Sequence, residues 1–493
     1  MSQIQLHNIS FSYSSEPLLH NISLHIGEGE RACILGPNGS GKTTLLKIIG
    51  GLISPDQGSV NGNAVLEGIP DTGTVEQFLR SRLAQSFDTI ENFNASLATE
   101  SLATMGEDYD ALLTEMSAKN LWDIDLRIQE ALGDIDRAQK MEELSPGQRA
   151  RLGLAVIGIA QPEVLVLDEP TNHLDSQAVE ELIAMVRGWN GPVIMVSHDR
   201  AFIEATATVI YDLDVDCWQA LATAKGENLG GIYRCNGTYS DYMREKTAAR
   251  EAHKEIHARQ QNDKKVINAH KEASEKIAGG GTKLAQATGI YKKFYSDKAS
   301  ATARNRTRSD DRKLEELQGR EVRKPREAGF DFEIPAVSPR AGIALGECNL
   351  AYGEHLLVTG PNGIGKSTWL RDIVAANPER VTYIPQALPK PTEQIIGERG
   401  KGFIHPRLWS VPIKDLSAGN ARRAQLALAI AQKPEILIID EPTNYLDVDS
   451  VEKLEEELKK WNGTLVVATH DTWLIDHWEG QHLRLPLQIL DGE

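Results

Sequence analysis

The feature that most constrains this chain is an internal repeat. Gly36-Pro-Asn-Gly-Ser-Gly-Lys-Thr43 recurs as Gly360-Pro-Asn-Gly-Ile-Gly-Lys-Ser367, and Val166-Leu-Asp-Glu-Pro-Thr-Asn-His-Leu-Asp175 recurs in the same order as Ile438-Ile-Asp-Glu-Pro-Thr-Asn-Tyr-Leu-Asp447. Two motifs repeated in order mean two copies of one folding unit. The length of 493 residues, too great for a single core, agrees. The expected division is a first unit over 1–235, a helical linker over 236–326 and a second unit over 327–493.

GxxxxGK[ST] is a phosphate-binding loop. Its glycines let backbone N–H groups wrap phosphates, its lysine reaches the outer phosphates, and its hydroxyl holds Mg²⁺. An apolar run precedes each copy, Arg31 to Leu35 and Leu356 to Thr359, and a helical pattern follows, as the motif requires. The expected class is therefore α/β, with two P-loop NTPase units. The nucleotide-contacting candidates are Gly36, Pro37, Asn38, Gly39, Ser40, Gly41, Lys42, Thr43 and Thr44 in the first half. In the second they are Gly360, Pro361, Asn362, Gly363, Ile364, Gly365, Lys366, Ser367 and Thr368.

Val164 to Leu167 and Ile436 to Ile439 are aliphatic runs typical of buried parallel strands. Each ends in Asp-Glu, which places two carboxylates at the strand edge where α/β sheets bind ligands. Asp168 and Asp440, with Thr43 and Ser367, are the expected Mg²⁺ ligands. Glu169 and Glu441 are expected to polarise the attacking water. Two further apolar runs end in Ser197-His198-Asp199 and Thr469-His470-Asp471, so His198 and His470 are candidates for sensing the γ-phosphate. Leu144-Ser-Pro-Gly-Gln148 and Leu416-Ser-Ala-Gly-Asn420 each precede a helical pattern, where a serine either faces an anion or simply caps the helix.

Charge is unevenly spread. The chain as a whole carries −17, yet Tyr239 to Arg326 holds 22 Lys and Arg against 13 Asp and Glu. Its first part, Tyr239 to Ala278, is rich in helix formers. Gly279 to Gly281 is expected to break that helix, and a second runs from about Lys283 to Glu321. The two should form an antiparallel hairpin that projects from the protein, with Tyr291, Phe294 and Tyr295 near its tip among lysines. Such a mixture suits contact with RNA. The four cysteines lack CxxC spacing, so neither a zinc cage nor a disulfide framework is indicated. No signal peptide and no apolar run of the ~18–20 residues a membrane helix needs is present. A soluble, cytoplasmic protein is expected.

Taken together, these motifs resemble the ATP-binding cassette superfamily in both halves. Two cassettes on one chain, a basic helical linker and Glu-Pro-Thr-Asn after each strand resemble its ABC-F class. The resemblance implies cassettes paired head to tail within one monomer, each ATP lying between one half's P-loop and the other half's signature. The first site would then join Gly36 to Thr43, Asp168, Glu169 and His198 to Ser417 and Gly419. The second would join Gly360 to Ser367, Asp440, Glu441 and His470 to Ser145 and Gly147. Tyr13 would stack on adenine, and Gln386 would couple nucleotide to the helical subdomain.

The resemblance further implies a ribosome as partner, with the linker hairpin reaching tRNA and rRNA, in antibiotic protection or translation control. The energy subunit of a membrane transporter is the alternative, since it shares the cassette. The chain departs from the family pattern at Pro146, Ala418 and Asn420 in the signatures, and at Glu67 where a glutamine is usual. No aromatic matches Tyr13 in the second half, the nearest being Phe332. Lys366 to Glu441 spans 75 positions against 127 from Lys42 to Glu169, which predicts unequal sites. The segment Thr74 to Glu143 is acidic, so no additional basic arm is expected there.

Overall fold

The computed structural model describes residues 3–15, 17–62, 64–66, 72–98, 107–172, 174, 176–285, 290–325, 330, 332–336, 343–345, 348–361, 364–485 and 488–490; within these, the side chains of 65–66, 98, 107–108, 146, 176, 277–285, 290–300, 343–345, 348–349 and 488–490 are not described. Two compact units emerge. One comprises Met1–Leu213, Asn236–Tyr239 and Ala328–Glu493, and the other Asp214–Cys235 and Ser240–Glu327. Both P-loop halves thus belong to the first unit. Asp214–Cys235, which a boundary at 235 places with the first half, clusters instead with the helical segment.

In the first half, parallel strands lie side by side in the order Val65–Leu66, Leu165–Asp168, Val193–Val196, Arg31–Leu35, Val209–Asp212. The register pairs Asp168 with Val196 and Cys33 with Met195. The aliphatic runs that suggest fully buried strands are buried throughout their length in Val193–Val196. An antiparallel sheet, ordered Leu19–Ile26, Ile4–Phe11, Gln57–Asn61, stands beside this core. It alternates inward apolar and outward polar residues, as a half-solvated sheet must.

The acidic segment after Val65–Leu66 forms helices at Val75–Arg82, Ala84–Ala98, Glu107–Ala118 and Ile124–Leu132, followed by Pro146–Ala160. Val75, Phe78, Leu79, Phe93, Ile128, Met141 and Leu152 make a separate core for them.

The second half repeats the plan with strands ordered Val381–Ile384, Ile436–Asp440, Thr464–Ala468, His355–Thr359, Gln481–Arg484, and Gln488–Leu490 antiparallel at the edge. Its shorter motif spacing falls in the helical part. Between Ile384 and the helix Ala418–Ile430 the chain makes three short 3₁₀ turns, Gly397–Gly400, Pro406–Leu408 and Ile413–Asp415, in place of four α-helices. The expected helical subdomain is therefore much reduced here. Phe403, Ile404, Ile396 and Trp409 seal it onto the buried strands.

In the second unit, helices Tyr239–Ala285 and Ile290–Gly319 run antiparallel. Matched contacts establish this: Gln260 with the Arg320 carbonyl, His270 with Asp310, and Lys271 with Asp311. The contacts are polar because the two helices share few apolar positions. The expected break at Gly279 to Gly281 does not occur, since the helix continues to Ala285. Each glycine costs only about 1 kcal/mol in a helix, which a long run of helix formers absorbs. Residues 286–289, and the side chains of Tyr291, Phe294 and Tyr295, lie outside the described part. At the root, the short helix Asp216–Lys225 packs Cys217 and Trp218 against Ala249, and the Trp218 ring stacks on Tyr233 at 3.8 Å between centroids.

Ile438 lies mid-strand with no exposed surface. Truncation to alanine should cost about 2–5 kcal/mol, seen as a lower melting temperature. A loss near zero would contradict its place in the central sheet.

Candidate functional site

Each P-loop springs from a central strand. Arg31–Leu35 and His355–Thr359 both run between two parallel neighbours, so the loops that leave them emerge beside the histidine turns. The Asp-Glu strand lies one position further out. Adjacency of these three edges follows from the strand order alone.

The loops turn through left-handed glycines, with φ of 94° at Gly41 and 101° at Gly365, each immediately before its helix. A Cβ on Gly41 would press on the end of the Leu19 side chain at 2.7 Å, but it is the left-handed torsion that demands glycine. Lys42 folds back so that its ammonium donates to the carbonyls of Gly36 (2.8 Å) and Pro37 (3.1 Å). Lys366 does the same to Gly360 (2.8 Å) and Pro361 (3.3 Å). Burial depresses the pKa of both lysines, opposed by the nearby Glu169 and Glu441. In each half, a helix N-terminus and a cation face the same space, an anion site in its backbone geometry.

The Thr43 hydroxyl bonds to the Asp168 carboxylate, which joins the two expected Mg²⁺ ligands. The other carboxylate oxygen, Oδ1, is buried without a hydrogen-bond partner. One hydroxyl and one carboxylate suit Mg²⁺, which keeps waters and phosphate oxygens for its remaining positions. In the second half, Asp440 takes its bond from the Tyr383 hydroxyl at 3.2 Å, and among the described residues Ser367 makes none to it.

Glu169 and Glu441 both adopt left-handed backbone, φ 48° and 50°, which is unusual for a non-glycine residue. That twist turns each carboxylate toward the histidine turn. Glu169 Oε2 accepts from the His198 amide at 3.2 Å, and its Oε1 lies 3.2 Å from His198 Nε2. Glu441 Oε2 accepts from the His470 amide and the Thr469 hydroxyl, both at 3.3 Å. Burial pushes both carboxyls up to about 7, with Asp168 adding to the effect at Glu169. Burial and the neighbouring lysines hold both imidazoles down at about 4, hence neutral. His470 accepts from the Lys366 ammonium at 2.6 Å, whereas His198 faces Glu169. The two sites differ in their polar wiring.

The first P-loop meets the second half directly. The Asn38 amide donates to Asp447 Oδ2 (3.1 Å) and its side chain to the Tyr445 carbonyl (2.9 Å). Gly419 approaches so closely that a Cβ would lie 2.4 Å from Asn38 Nδ2 and 3.0 Å from the Tyr445 oxygen. Gly419 is a glycine because another chain segment occupies its missing side chain's place. Asn362 and Gly363, at the matching place in the second P-loop, lie outside the described residues. Ser145 and Ser417 both cap their helices, accepting from the Gln148 and Asn420 amides. Gly147 follows Ser145 in the first turn of Pro146–Ala160. Tyr13 is two-thirds exposed, its ring edge-on to Phe11, and Gln386 is exposed at the end of Val381–Ile384. Thr44 is buried, while Thr368 and Ile364 are exposed. Glu67 falls outside the described residues.

Arg422 was not legible as a site residue, yet its fully buried guanidinium donates to the carbonyls of Pro385 (2.6 Å), Asp440 (3.0 Å) and Glu441 (2.6 Å). It ties the strained Asp-Glu turn to the segment that carries Gln386. Its one sequence signal is an arginine on an otherwise apolar face of Ala418–Ile430.

Known proteins bear on this arrangement. A family model described as ABC transporter matches residues 19–172 and 386–444. The chain is 30% identical over 558 positions to the tylosin resistance ATP-binding protein TlrC of Streptomyces fradiae, with 100% of this chain and 98% of that protein covered. It is 27% identical over 534 positions to the energy-dependent translational throttle protein EttA of Mycobacterium tuberculosis, covering 95% and 90%. A solved complex of an archaeal ribosomal stalk protein with the ribosome recycling factor ABCE1 superposes at a TM-score of 0.52 with 16% identity, covering 99% of this chain and 88% of that one, a likeness of fold. Paired P-loop halves of this construction are ATP-binding cassettes. The chain belongs to the ABC-F class of that superfamily. Among the described residues no helix is long and apolar enough to cross a membrane.

Because the carboxyls of Glu169 and Glu441 sit above their ordinary 4.5, folding favours their protonated form. The stability they contribute is complete below pH about 4.5 and is lost as pH rises through about 7, a cost on the order of 3 kcal/mol each before relaxation. The variant with Glu169→Gln and Glu441→Gln should therefore melt above the parent at pH 8, the difference shrinking toward pH 5. A pH-independent difference in melting temperature would contradict the burial of these carboxylates.

Proposed function

We propose that the chain binds and hydrolyses ATP at two composite sites and uses the resulting closure to engage a ribosome, its basic hairpin contacting tRNA or rRNA. The observation that carries this reading is the seating of Gly419, Tyr445 and Asp447 on the Asn38 corner of the first P-loop. A phosphate loop capped by the opposite half can sense whether nucleotide fills it.

In this reading Lys42 and Lys366 leave their loop carbonyls to meet the outer phosphates. Thr43, Ser367, Asp168 and Asp440 hold Mg²⁺, which supplies charge neutralisation on the phosphates when bound. Glu169 and Glu441, in ionised form, accept a hydrogen bond from the attacking water and orient it. His198 and His470, neutral, offer a ring N–H to the γ-phosphate. Tyr13 stacks on the first adenine. Ser145, Gly147, Ser417 and Gly419 face the phosphates across the cassette pair.

The three parts have separate tasks: the cassettes 1–235 and 327–493 close on ATP, and the linker 236–326 reads RNA. Its surplus of basic residues, on a chain of net −17, matches a phosphate backbone. Pairing within one chain makes the working form a monomer in the cytoplasm. Relatives named for tylosin resistance and for translational throttling support a ribosomal task of one of those two kinds.

Glu169→Gln with Glu441→Gln should slow phosphate release by about 100-fold or more while nucleotide still binds. The same protein should pellet with 70S ribosomes when ATP is present, and less so after deletion of Ala278 to Asp297. Rapid phosphate release would refute the roles given to the glutamates. Failure to pellet in either state would remove the ribosome reading and favour a membrane partner.

A further inference from the structure

The two histidine turns meet at a buried cluster that the nucleotide sites do not use. Arg200, next after His198-Asp199, is 1% exposed. Its guanidinium forks onto Glu455, with Nη1 at 2.9 Å from Oε2 and Nη2 on Oε1, and it also donates to Asp471 Oδ2 at 3.1 Å. Asp471 follows His470. Its amide donates to the Thr469 hydroxyl (3.0 Å), and that hydroxyl donates to Glu441 Oε2 (3.3 Å). A continuous polar path thus runs from the second site's glutamate to a side chain anchored beside the first site's histidine.

The cluster ends on the first residue of the linker helix, Tyr239. Arg200 lies over the Trp473 ring at 5.7 Å, and Tyr239 meets the same ring edge-on at 5.4 Å. The Tyr239 hydroxyl donates to Glu452 Oε1 at 2.7 Å, one turn before Glu455 on helix Val448–Lys460. Tyr239 is 1% exposed and begins helix Tyr239–Ala285. Burial opposes the Arg200 charge, but Glu455 and Asp471 outweigh it and keep the guanidinium ionised.

The arrangement is one-sided. Laying the repeats over each other through the two histidine turns puts Thr472 at the place of Arg200. Laying them through Asp175 and Asp447 puts Ile183 at the place of Glu455. The symmetry-related position therefore carries neither charge. A device needed only to clamp two cassettes has no reason to differ between the repeats, whereas the linker helix begins at one place in the chain, Tyr239, which this cluster touches.

We propose that Arg200, Asp471, Glu455 and the Trp473–Tyr239 pair form a coupling element that passes the nucleotide state of both histidine turns to the first turn of the linker helix. The inference rests on the ATP reading of the two sites and names the route by which they act on the linker. Arg200 satisfies Glu455 and Asp471 together only when both turns hold their present spacing. A shift of either turn breaks one bond and releases Trp473 from Tyr239. Coupling of this kind is reciprocal in binding energy.

The test is amide hydrogen exchange of residues 240–250, with and without ATP, in the chain carrying Glu169→Gln and Glu441→Gln. Tyr239→Phe keeps the ring and loses the Glu452 bond, and Glu455→Gln keeps the shape and loses the charge. A fluorescent ATP analogue monitors nucleotide binding in every variant, and melting curves monitor folding. ATP should change exchange at 240–250 by about fivefold or more in the parent and by less than about twofold in either variant, with nucleotide affinity held. An undiminished ATP effect in both variants, or no effect in a parent that binds the analogue, overturns the proposal. A parent that fails to bind the analogue refutes the ATP reading itself.

Discussion

Parallel pairing of a few short aliphatic strands is the constraint on which everything else hangs. When Leu165–Asp168, Val193–Val196 and Arg31–Leu35 run in one direction, their C-terminal ends share an edge. Whatever residue follows each strand is then brought to one place, however far apart in sequence. The strands are almost wholly aliphatic because both faces are covered. That same covering lifts the Glu169 and Glu441 carboxyls to about 7 and holds the imidazoles near 4. A hydrophobic sheet thus builds the site and sets its proton states.

The two halves use this plan unequally. Asp168 is bonded by Thr43 and Asp440 by Tyr383; His198 faces Glu169 while His470 accepts from Lys366. Arg422 straps the second Asp-Glu turn through three carbonyls, and Ala150 stands at its place in the first signature helix. The second half has also given up most of its helical subdomain for 3₁₀ turns.

Local chemistry made much of this legible in the sequence. The P-loop glycines, the Asp-Glu strand ends and the histidine turns announce themselves because each depends on residues adjacent along the chain. The meeting of Gly419 with the first P-loop followed only from family resemblance, since it depends on how two distant segments pack. Arg200 and Tyr239 gave no signal. An arginine after His-Asp and a tyrosine opening a charged helix look like solvated positions until Glu455, Trp473 and Glu452 surround them. The glycine triplet misled for the opposite reason: a strong local breaker is overruled when long helical runs flank it. The regrouping of Asp214–Cys235 with the hairpin was likewise hidden, because Trp218 finds Tyr233 and Ala249 only in three dimensions.

Asymmetry is the consequence that links these details. A symmetric pair of cassettes can open and close, but it has no means of directing that motion to one side. A single linker between the halves requires a direction, and the bonded cluster of Arg200, Glu455 and Asp471 is not repeated, since Thr472 and Ile183 stand at the places of Arg200 and Glu455 and only Asp471 is matched, by Asp199. Each charge of the cluster is costly to bury singly and tolerable only in the others' company. Such a cluster persists where fixed geometry matters more than the stability an apolar contact would give, and here it fixes Tyr239, the first residue of the linker helix.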